Sequence, residues 1–241
     1  MTAAAPPYVA PRTVQQTLAV AGLTRLSTCD WPGHLAATVF LQGCPWRCTY
    51  CHNPGLLDPT VPGQVPWQQV RDLLLRRHGM LDGLVFSGGE PTRQEGLGAA
   101  MLEVRDLGFG VGLHTAGAYP RRLSEVLPLV EWVGLDIKAL PSGYTAVTGV
   151  KASAVKAYES LRLVLDSGVD HEVRVTVDPT VHSAEHVETL VRRLREAGVA
   201  RVVLQQARPL GARPGYAERL AGRVLADVVP DVPDGVVVRR A

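Results

Sequence analysis

The stretch GCPWRCTYCHNP, residues 43–54, places Cys44, Cys48 and Cys51 at the spacing C-x3-C-x2-C, directly after an apolar segment typical of a β-strand. Iron-sulfur clusters usually take four cysteine thiolates. Three thiolates in one loop therefore predict a cluster in which one iron stays free to bind another ligand. We expect the chemistry of the protein at that open iron.

Beyond this loop, short runs rich in valine and leucine alternate with longer segments of helical periodicity, a pattern typical of repeated β-α units and a parallel sheet. Six strands are predicted, near residues 37–42, 83–87, 110–114, 132–138, 171–177 and 201–205. The helices are predicted near 67–78, 94–107, 120–128, 153–167 and 184–197, with a last amphipathic segment near 215–228.

The unusual residues follow the strands. The cysteine loop comes after the first strand, SGGEP (87–91) after the second, HTAG (114–117) after the third, and DIK (136–138) ends the fourth. The C-terminal strand ends build the active site in barrels and open parallel sheets. A complete eight-unit barrel usually takes about 250 residues. Six units therefore predict an α/β fold, a partial TIM-like (β/α)6 barrel that is open on one side.

Composition limits the possible functions. The chain has 241 residues, of which 46% are hydrophobic, and a net charge of +2, so we expect one core and neither a nucleic-acid nor a membrane partner. Three cysteines in eight residues are not the dispersed set of a secreted disulfide scaffold, and we expect reduced thiols in the cytoplasm. We assign the main domain to residues 22–229, an N-terminal extension to 1–21, and a loosely attached tail to 230–241.

These motifs together resemble the radical S-adenosylmethionine (SAM) superfamily. More narrowly, they resemble glycyl-radical-enzyme activating proteins of the anaerobic ribonucleoside-triphosphate reductase activating type. The resemblance spans about residues 22–207 and rests on these segments: DWPG (30–33), the cysteine loop with Tyr50, CHNP (51–54), SGGEP (87–91) and LDIK (135–138).

The resemblance implies a barrel of the radical SAM type in which Cys44, Cys48 and Cys51 hold a [4Fe-4S] cluster whose fourth iron binds the amino and carboxylate groups of SAM. It also implies reduction by a flavodoxin or ferredoxin. The SAM-derived radical would then remove a Cα hydrogen from one glycine of a large partner, with the large subunit of anaerobic ribonucleotide reductase expected first.

Several residues are expected to bind SAM. The resemblance implies that the backbone from Tyr50 to His52 lies near the adenine and that Gly88, Gly89 and Glu90 hold the methionine part. The residue types are suited to this role, because two glycines let the backbone approach a ligand and a carboxylate can accept a hydrogen bond from an ammonium group.

Asp136 and Lys138 are two residues apart on a predicted strand, so both side chains should lie on one face. A buried ion pair is weak evidence for stability. The resemblance implies a SAM site there, although a structural ion pair stays open as an alternative. Thr115 and Arg174 are further candidates for cofactor binding, and Arg174 as a salt-bridge partner stays open as well.

Other functions and roles remain open at this point. Within the superfamily, the alternatives are an activase of a pyruvate formate-lyase-like enzyme and a carboxy-deazaguanine synthase-like enzyme that acts on a small molecule. A zinc-binding interaction module is the alternative from another class, although zinc loops generally come as paired C-x2-C elements. Cys29 is expected to be a small buried residue, and His114, His182 and His186 to be structural or exposed.

Overall fold

The fold is known from a computed structural model, which describes residues 14–239. Its centre is one eight-stranded sheet whose strands follow one another in chain order and whose first and last strands are not paired with each other. The first two strands are antiparallel, and every later strand is parallel to the one before it. The strands are β1 (Val20–Ser27), β2 (Ala36–Leu41), β3 (Gly83–Gly88), β4 (Gly110–Thr115), β5 (Trp132–Asp136), β6 (Asp170–Val177), β7 (Val202–Gln206) and β8 (Val237–Arg239).

The helices are α1 (Val14–Thr17), α2 (Trp67–Arg76), α3 (Leu97–Asp106), α4 (Pro120–Val126), α5 (Tyr144–Thr148), α6 (Ser153–Ser167), α7 (Ala184–Glu196), α8 (Tyr216–Leu220) and α9 (Leu225–Val228). Helices α2, α3 and α7 contact strands β1, β4 and β7 respectively, and the remaining helices are shorter or pack on other segments. None of the helices within residues 14–239 has the length and apolar composition needed to cross a membrane.

Successive side chains along a strand point alternately to the hydrophobic core and to the barrel interior. In β6, Val173, Val175 and Val177 belong to the hydrophobic core, whereas Arg174 and Thr176 line an internal cavity. The helices meet the strand valines with apolar stripes, and in α7 the buried residues recur at helical spacing at positions 187, 190, 191 and 194. The hydrophobic core therefore lies between sheet and helices, and the polar cavity lies inside the sheet.

An aromatic side chain fills one end of the barrel interior. Trp31 is buried in the loop after β1 and stacks on Trp132 of β5 with their ring centroids 6.2 Å apart. A Cβ atom on Gly83 would lie 2.8 Å from the Trp31 ring, and one on Gly112 would lie 3.0 Å from it. Glycines on β3 and β4 therefore make room for the indole.

The structure confirms the predicted α/β fold and the open partial barrel, with all six predicted strands present as β2 to β7. It adds α1, β1, α5 and β8, and it divides the last amphipathic segment into α8 and α9. The expected boundary at residue 21 falls inside β1. The tail expected to be loosely attached contributes β8, which pairs with β7.

Candidate functional site

The cysteine loop leaves the end of β2 and is held by backbone hydrogen bonds on both sides. Gly43 N donates to Leu56 O at 2.8 Å, and Thr49 N donates to Val147 O at 3.0 Å. Between them, the buried Trp46 packs edge-on against Tyr144 of α5 with their ring centroids 5.9 Å apart. The neighbouring segments therefore fix the loop that carries the three thiols.

The three thiols are sheltered from water. Cys48 is buried, and Cys44 and Cys51 are partly buried. Burial raises the pKa of the Cys44 thiol to about 12 and also raises the pKa of Cys48. Metal coordination deprotonates a thiol outright, so metal binding supplies the deprotonation that burial opposes.

These thiols are not arranged around a single ion. Within residues 14–239, no group of three or more His, Cys, Asp or Glu side chains is placed to hold one metal ion. Structural zinc needs four such ligands around one centre. Three soft thiol donors in one loop suit an iron-sulfur cluster, which takes its thiolates on several irons.

A cavity of about 970 Å³ opens beside the thiols, inside the C-terminal edge of the sheet. Its volume is at the upper end of the usual range for small-molecule and cofactor sites, about 300–1,000 Å³. Eleven of the twelve predicted site residues line it: Cys44, Cys48, Cys51, Tyr50, His52, Gly88, Gly89, Thr115, Asp136, Lys138 and Arg174. Gln205 and Gln206, which end β7, line it as well.

Glu90 is the predicted site residue that does not line the cavity. Its side chain is fully buried and accepts four hydrogen bonds, from the backbone and hydroxyl of Thr92, the hydroxyl of Thr115 and the backbone of Ala116. Three of these bonds end on Oε1 and one on Oε2, so the buried carboxylate binds protein donors rather than facing the cavity. Glu90 instead ties the turn after β3 to the cavity wall after β4.

Gly88 and Gly89 line the cavity, but the need for glycine at these positions comes from protein packing. A Cβ atom on Gly88 would lie 2.3 Å from Leu41 N, and one on Gly89 would lie 2.5 Å from Gly43 O. The two glycines therefore let the end of β3 approach the start of the cysteine loop. Both glycines also line the cavity, and their role in ligand binding stays a prediction.

Asp136 and Lys138 lie on the cavity face, as their spacing predicts, with Lys138 Nζ 3.1 Å from Asp136 Oδ2. The same ammonium lies 5.6 Å from the centroid of the Tyr50 ring. Burial opposes its charge, but the pull of Asp136 and of nearby groups raises the pKa of Lys138 well above its ordinary value. The positive charge of Lys138 therefore lies between the Tyr50 ring of the cysteine loop and the Asp136 carboxylate at the end of β5.

Arg174 belongs to an ion network on the neighbouring strand β6, where it is paired in register with Asp136. Its Nε lies 2.7 Å from Glu172 Oε1, and Arg239 of β8 donates to both oxygens of the same carboxylate at 2.6 and 2.9 Å. Arg201 approaches it at 3.3 Å. Burial opposes ionisation of Glu172, but these arginines lower its pKa. Arg174 therefore forms a salt bridge, which is the alternative role left open for it in the sequence analysis.

The loop after β1 contributes cavity residues that the sequence did not assign. Cys29 is exposed and lines the cavity together with Asp30, so the expectation of a small buried cysteine was wrong. His114 also lines it and contacts Asp30 O at 2.6 Å through Nε2. Burial and the nearby Arg174 lower the pKa of His114 to about 4.

The chain matches a known protein family. The model of the radical SAM superfamily matches residues 38–190, which is more than half of the chain. The chain therefore belongs to the radical SAM superfamily, whose members use a [4Fe-4S] cluster and SAM.

Within the superfamily, the chain is homologous to glycyl-radical-enzyme activating enzymes. It is 31% identical to the pyruvate formate-lyase-activating enzyme of Clostridium pasteurianum, over 67% of this chain and 69% of that one. A Methanocaldococcus jannaschii protein provisionally named as a glycyl-radical enzyme activating enzyme is 26% identical over 91% of this chain and 95% of its own length. The 7-carboxy-7-deazaguanine synthase of Thermococcus kodakarensis is 25% identical over 71% and 74%.

Solved structures share the fold at low identity. A radical SAM methyltransferase from Sphaerobacter thermophilus superposes with a TM-score of 0.60 at 19% identity, over 88% of this chain and 67% of that one. Streptococcus suis SuiB bound to S-adenosylmethionine gives a TM-score of 0.59 at 14% identity, over 83% of this chain. This chain spans about half the length of SuiB, 48%.

The residues around the cavity fit both cofactors. The loop offers three soft thiol donors, which suit iron-sulfur clusters. The cavity beside them also presents a buried ammonium on Lys138, a carboxylate on Asp136 and the aromatic ring of Tyr50. These groups complement the carboxylate, the amino group and the adenine of SAM.

Proposed function

We propose that this protein generates a glycyl radical on a large partner enzyme, with anaerobic ribonucleoside-triphosphate reductase as the first candidate. The observation that carries the proposal is a cavity that contains the three-cysteine loop and lies in a sheet whose edge strands β1 and β8 do not pair with each other within residues 14–239. The homology to activating enzymes supports it. The need for reduced thiols also favours a cytoplasmic location.

In this proposal Cys44, Cys48 and Cys51 hold the cluster. A reduced cluster held by these thiols would supply the one electron needed for the reductive cleavage of SAM. Lys138 and Asp136 contact SAM from the end of β5, and the Tyr50–His52 backbone lies near the adenine. Glu90 acts indirectly, because its hydrogen bonds hold Thr115 and Ala116 in the cavity wall.

The open side of the barrel suits a polypeptide substrate. Strands β1 and β8 are the two edges of the sheet and are not paired with each other. A loop of a partner enzyme can therefore reach the cavity laterally without unfolding the barrel. The electron would come from a flavodoxin or ferredoxin.

A pyruvate formate-lyase-like enzyme is the second candidate partner, favoured by the homology to the Clostridium pasteurianum activating enzyme. The relation to a 7-carboxy-7-deazaguanine synthase supports a third possibility, a radical SAM enzyme that acts on a small molecule. The three candidates differ in where the abstracted hydrogen originates.

Electron paramagnetic resonance of anaerobic mixtures tests the proposal. The reconstituted protein, SAM and dithionite are incubated separately with the reductase and with a pyruvate formate-lyase-like enzyme. We expect a glycyl radical signal in the reductase sample, with 5′-deoxyadenosine formed alongside. A signal only in the lyase sample would show that the lyase-like enzyme, and not the reductase, is the partner. Formation of 5′-deoxyadenosine without a glycyl radical in either sample would overturn the proposal that the protein activates a partner enzyme.

A further inference from the structure

A group of cations surrounds the outer side of the cysteine loop. It consists of five side chains, here called the basic arc: Arg47, Lys151, Lys156, Arg122 and Arg93. Three are exposed and two are half-buried, and none of them lines the cavity. Within residues 14–239, none forms an ion pair with a carboxylate.

The arc begins inside the cysteine loop. Arg47 N donates to Thr148 O at 2.8 Å, and the Cβ position of Gly149 lies 3.7 Å from Arg47 Cβ. Lys151 follows two residues after Gly149, and Lys156 is in the first turn of α6. The segment from 148 to 156 therefore continues the positive surface from Arg47 onto α6.

The arc continues over Tyr119 and returns to the start of the cysteine loop. Lys156 Nζ and Arg122 Cζ lie 5.8 and 5.6 Å from the centroid of the Tyr119 ring. The Arg122 guanidinium donates to the carbonyl oxygen of Arg93. Arg93 Nη1 in turn lies 3.1 Å from the Cβ position of Gly43, the residue before the first thiol. The cations thus form a series of neighbouring positions that begins at Arg47 within the loop and ends at Arg93 beside Gly43.

The charge of this surface is unbalanced. The chain has three lysines, and the two besides Lys138 both belong to the arc. Asp58, Glu95 and Glu159 are exposed carboxylates in adjoining segments, and the five cations outnumber them. Val155, which is 67% exposed between the two lysines, adds an apolar contact of the kind found in protein interfaces.

We infer that the basic arc docks an acidic one-electron carrier protein, of the flavodoxin or ferredoxin kind; this inference rests on the proposed function. The carrier is oxidised by one electron, which passes to the cluster, and no proton or other atom moves. Weak electron-transfer complexes bury under about 1,200 Å² and depend on charge complementarity for rapid association. The arc is small, positive, next to the thiols and outside the cavity that serves the partner polypeptide.

A charge-reversal variant tests this surface. Lys151→Glu with Lys156→Glu changes two exposed side chains, and glutamate near the start of α6 is compatible with the helix dipole. The control variant, Arg76→Glu with Arg192→Glu, makes the same change of charge on α2 and α7. Cluster reduction by prereduced flavodoxin or ferredoxin is followed by anaerobic stopped-flow, and carrier affinity is measured by titration.

We expect the arc variant to be reduced about tenfold more slowly at low salt, with weaker carrier binding and a smaller salt dependence than the wild type and the control. Equal carrier rates for the two variants, or no reduction of the wild type by either carrier, would overturn the inference. So would a variant that loses binding to the reductase but not to the carrier. Dithionite separates the two proposals: it should drive equal SAM cleavage in all three proteins, and no cleavage in the wild type would instead refute the proposed function.

Discussion

Thr49, between the second and third cysteines of the loop, donates a hydrogen bond of 2.6 Å to Asp178, at the end of β6. Asp178 is fully buried, and its other oxygen accepts from the backbone and hydroxyl of Thr180. The turn that follows has the sequence DPT at 178–180. In this chain, the turn after β6 ties the cysteine loop to the opposite wall of the barrel.

Thr49→Val should loosen the cysteine loop. It removes the hydroxyl donor and leaves one oxygen of a buried carboxylate unpaired, which costs about 1–3 kcal/mol. We expect faster loss of iron when the anaerobic, reconstituted protein is mixed with a chelator, and recovery in Thr49→Ser. Thr60→Val is the matched control, because Thr60 bonds Asp58 on the surface. Equal iron loss in the Thr49 and Thr60 variants would contradict this role.

Cys48→Ala should abolish iron loading, because Cys48 is the most buried of the three thiols in the loop. Cys29→Ala should load iron as the wild type does, although Cys29 lines the same cavity. Iron and sulfide are measured after anaerobic reconstitution. Loss of the cluster in the Cys29 variant would mean that the ligand set is different.

Lys138→Met should weaken SAM binding by about tenfold or more while iron loading stays normal, since a loss of about 1.4 kcal/mol is tenfold in affinity. Methionine keeps most of the stem beside Tyr50 and removes the charge that faces Asp136. Equilibrium binding of SAM to the oxidised, cluster-loaded protein measures this effect. An unchanged affinity would leave Lys138 as a structural ion-pair partner.

Glu90→Ala should lower the stability of the fold, because it leaves two backbone and two hydroxyl donors without their buried acceptor. We expect a loss of about 3 kcal/mol or more in the free energy of unfolding. Urea denaturation measures it, with Glu95→Ala as a control at an exposed neighbour. If the Glu90 and Glu95 variants were equally stable, the buried hydrogen bonds of Glu90 would not contribute to the stability of the fold.

His182 should make the protein less stable in acid. Burial, together with repulsion from His186, lowers its pKa from 6.5 to about 4. Between these values the unfolded chain binds a proton that the folded protein does not, so stability falls as the pH is lowered from 6.5 to 4. The loss is on the order of 2–3 kcal/mol.

Stability curves of His182→Gln and the wild type check this dependence over the same pH range, with the exposed His78→Gln as control. The His182 variant should show a shallower fall than the other two proteins. Parallel curves for all three would show that another group causes the acid sensitivity.

Periodicity and strand order account for the parts of the site that the sequence predicted. The residues that follow parallel strands meet at one edge of the sheet, which brought the cysteine loop and Thr115 to one cavity. The two-residue spacing of Asp136 and Lys138 placed both side chains on the cavity face.

The sequence did not predict the surroundings of side chains that lie on irregular backbone or on very short elements. Glu90 precedes a short turn that begins at Pro91, and its carboxylate accepts from that turn rather than facing the cavity. Cys29 belongs to a loop held at the barrel interior by the burial of Trp31, a contact between distant segments that no local pattern reveals. Arg239 lies on a three-residue strand, too short for a recognisable alternation.

Electron-nuclear double resonance of the reduced protein with isotopically labelled SAM tests the central claim most directly, because it detects contact between the cosubstrate and the cluster itself. A three-cysteine cluster with one open iron predicts hyperfine coupling from 15N in the amino group and from 17O in the carboxylate of SAM. A reduced cluster that shows neither coupling at saturating SAM would contradict the claim that its fourth iron is the site of the chemistry.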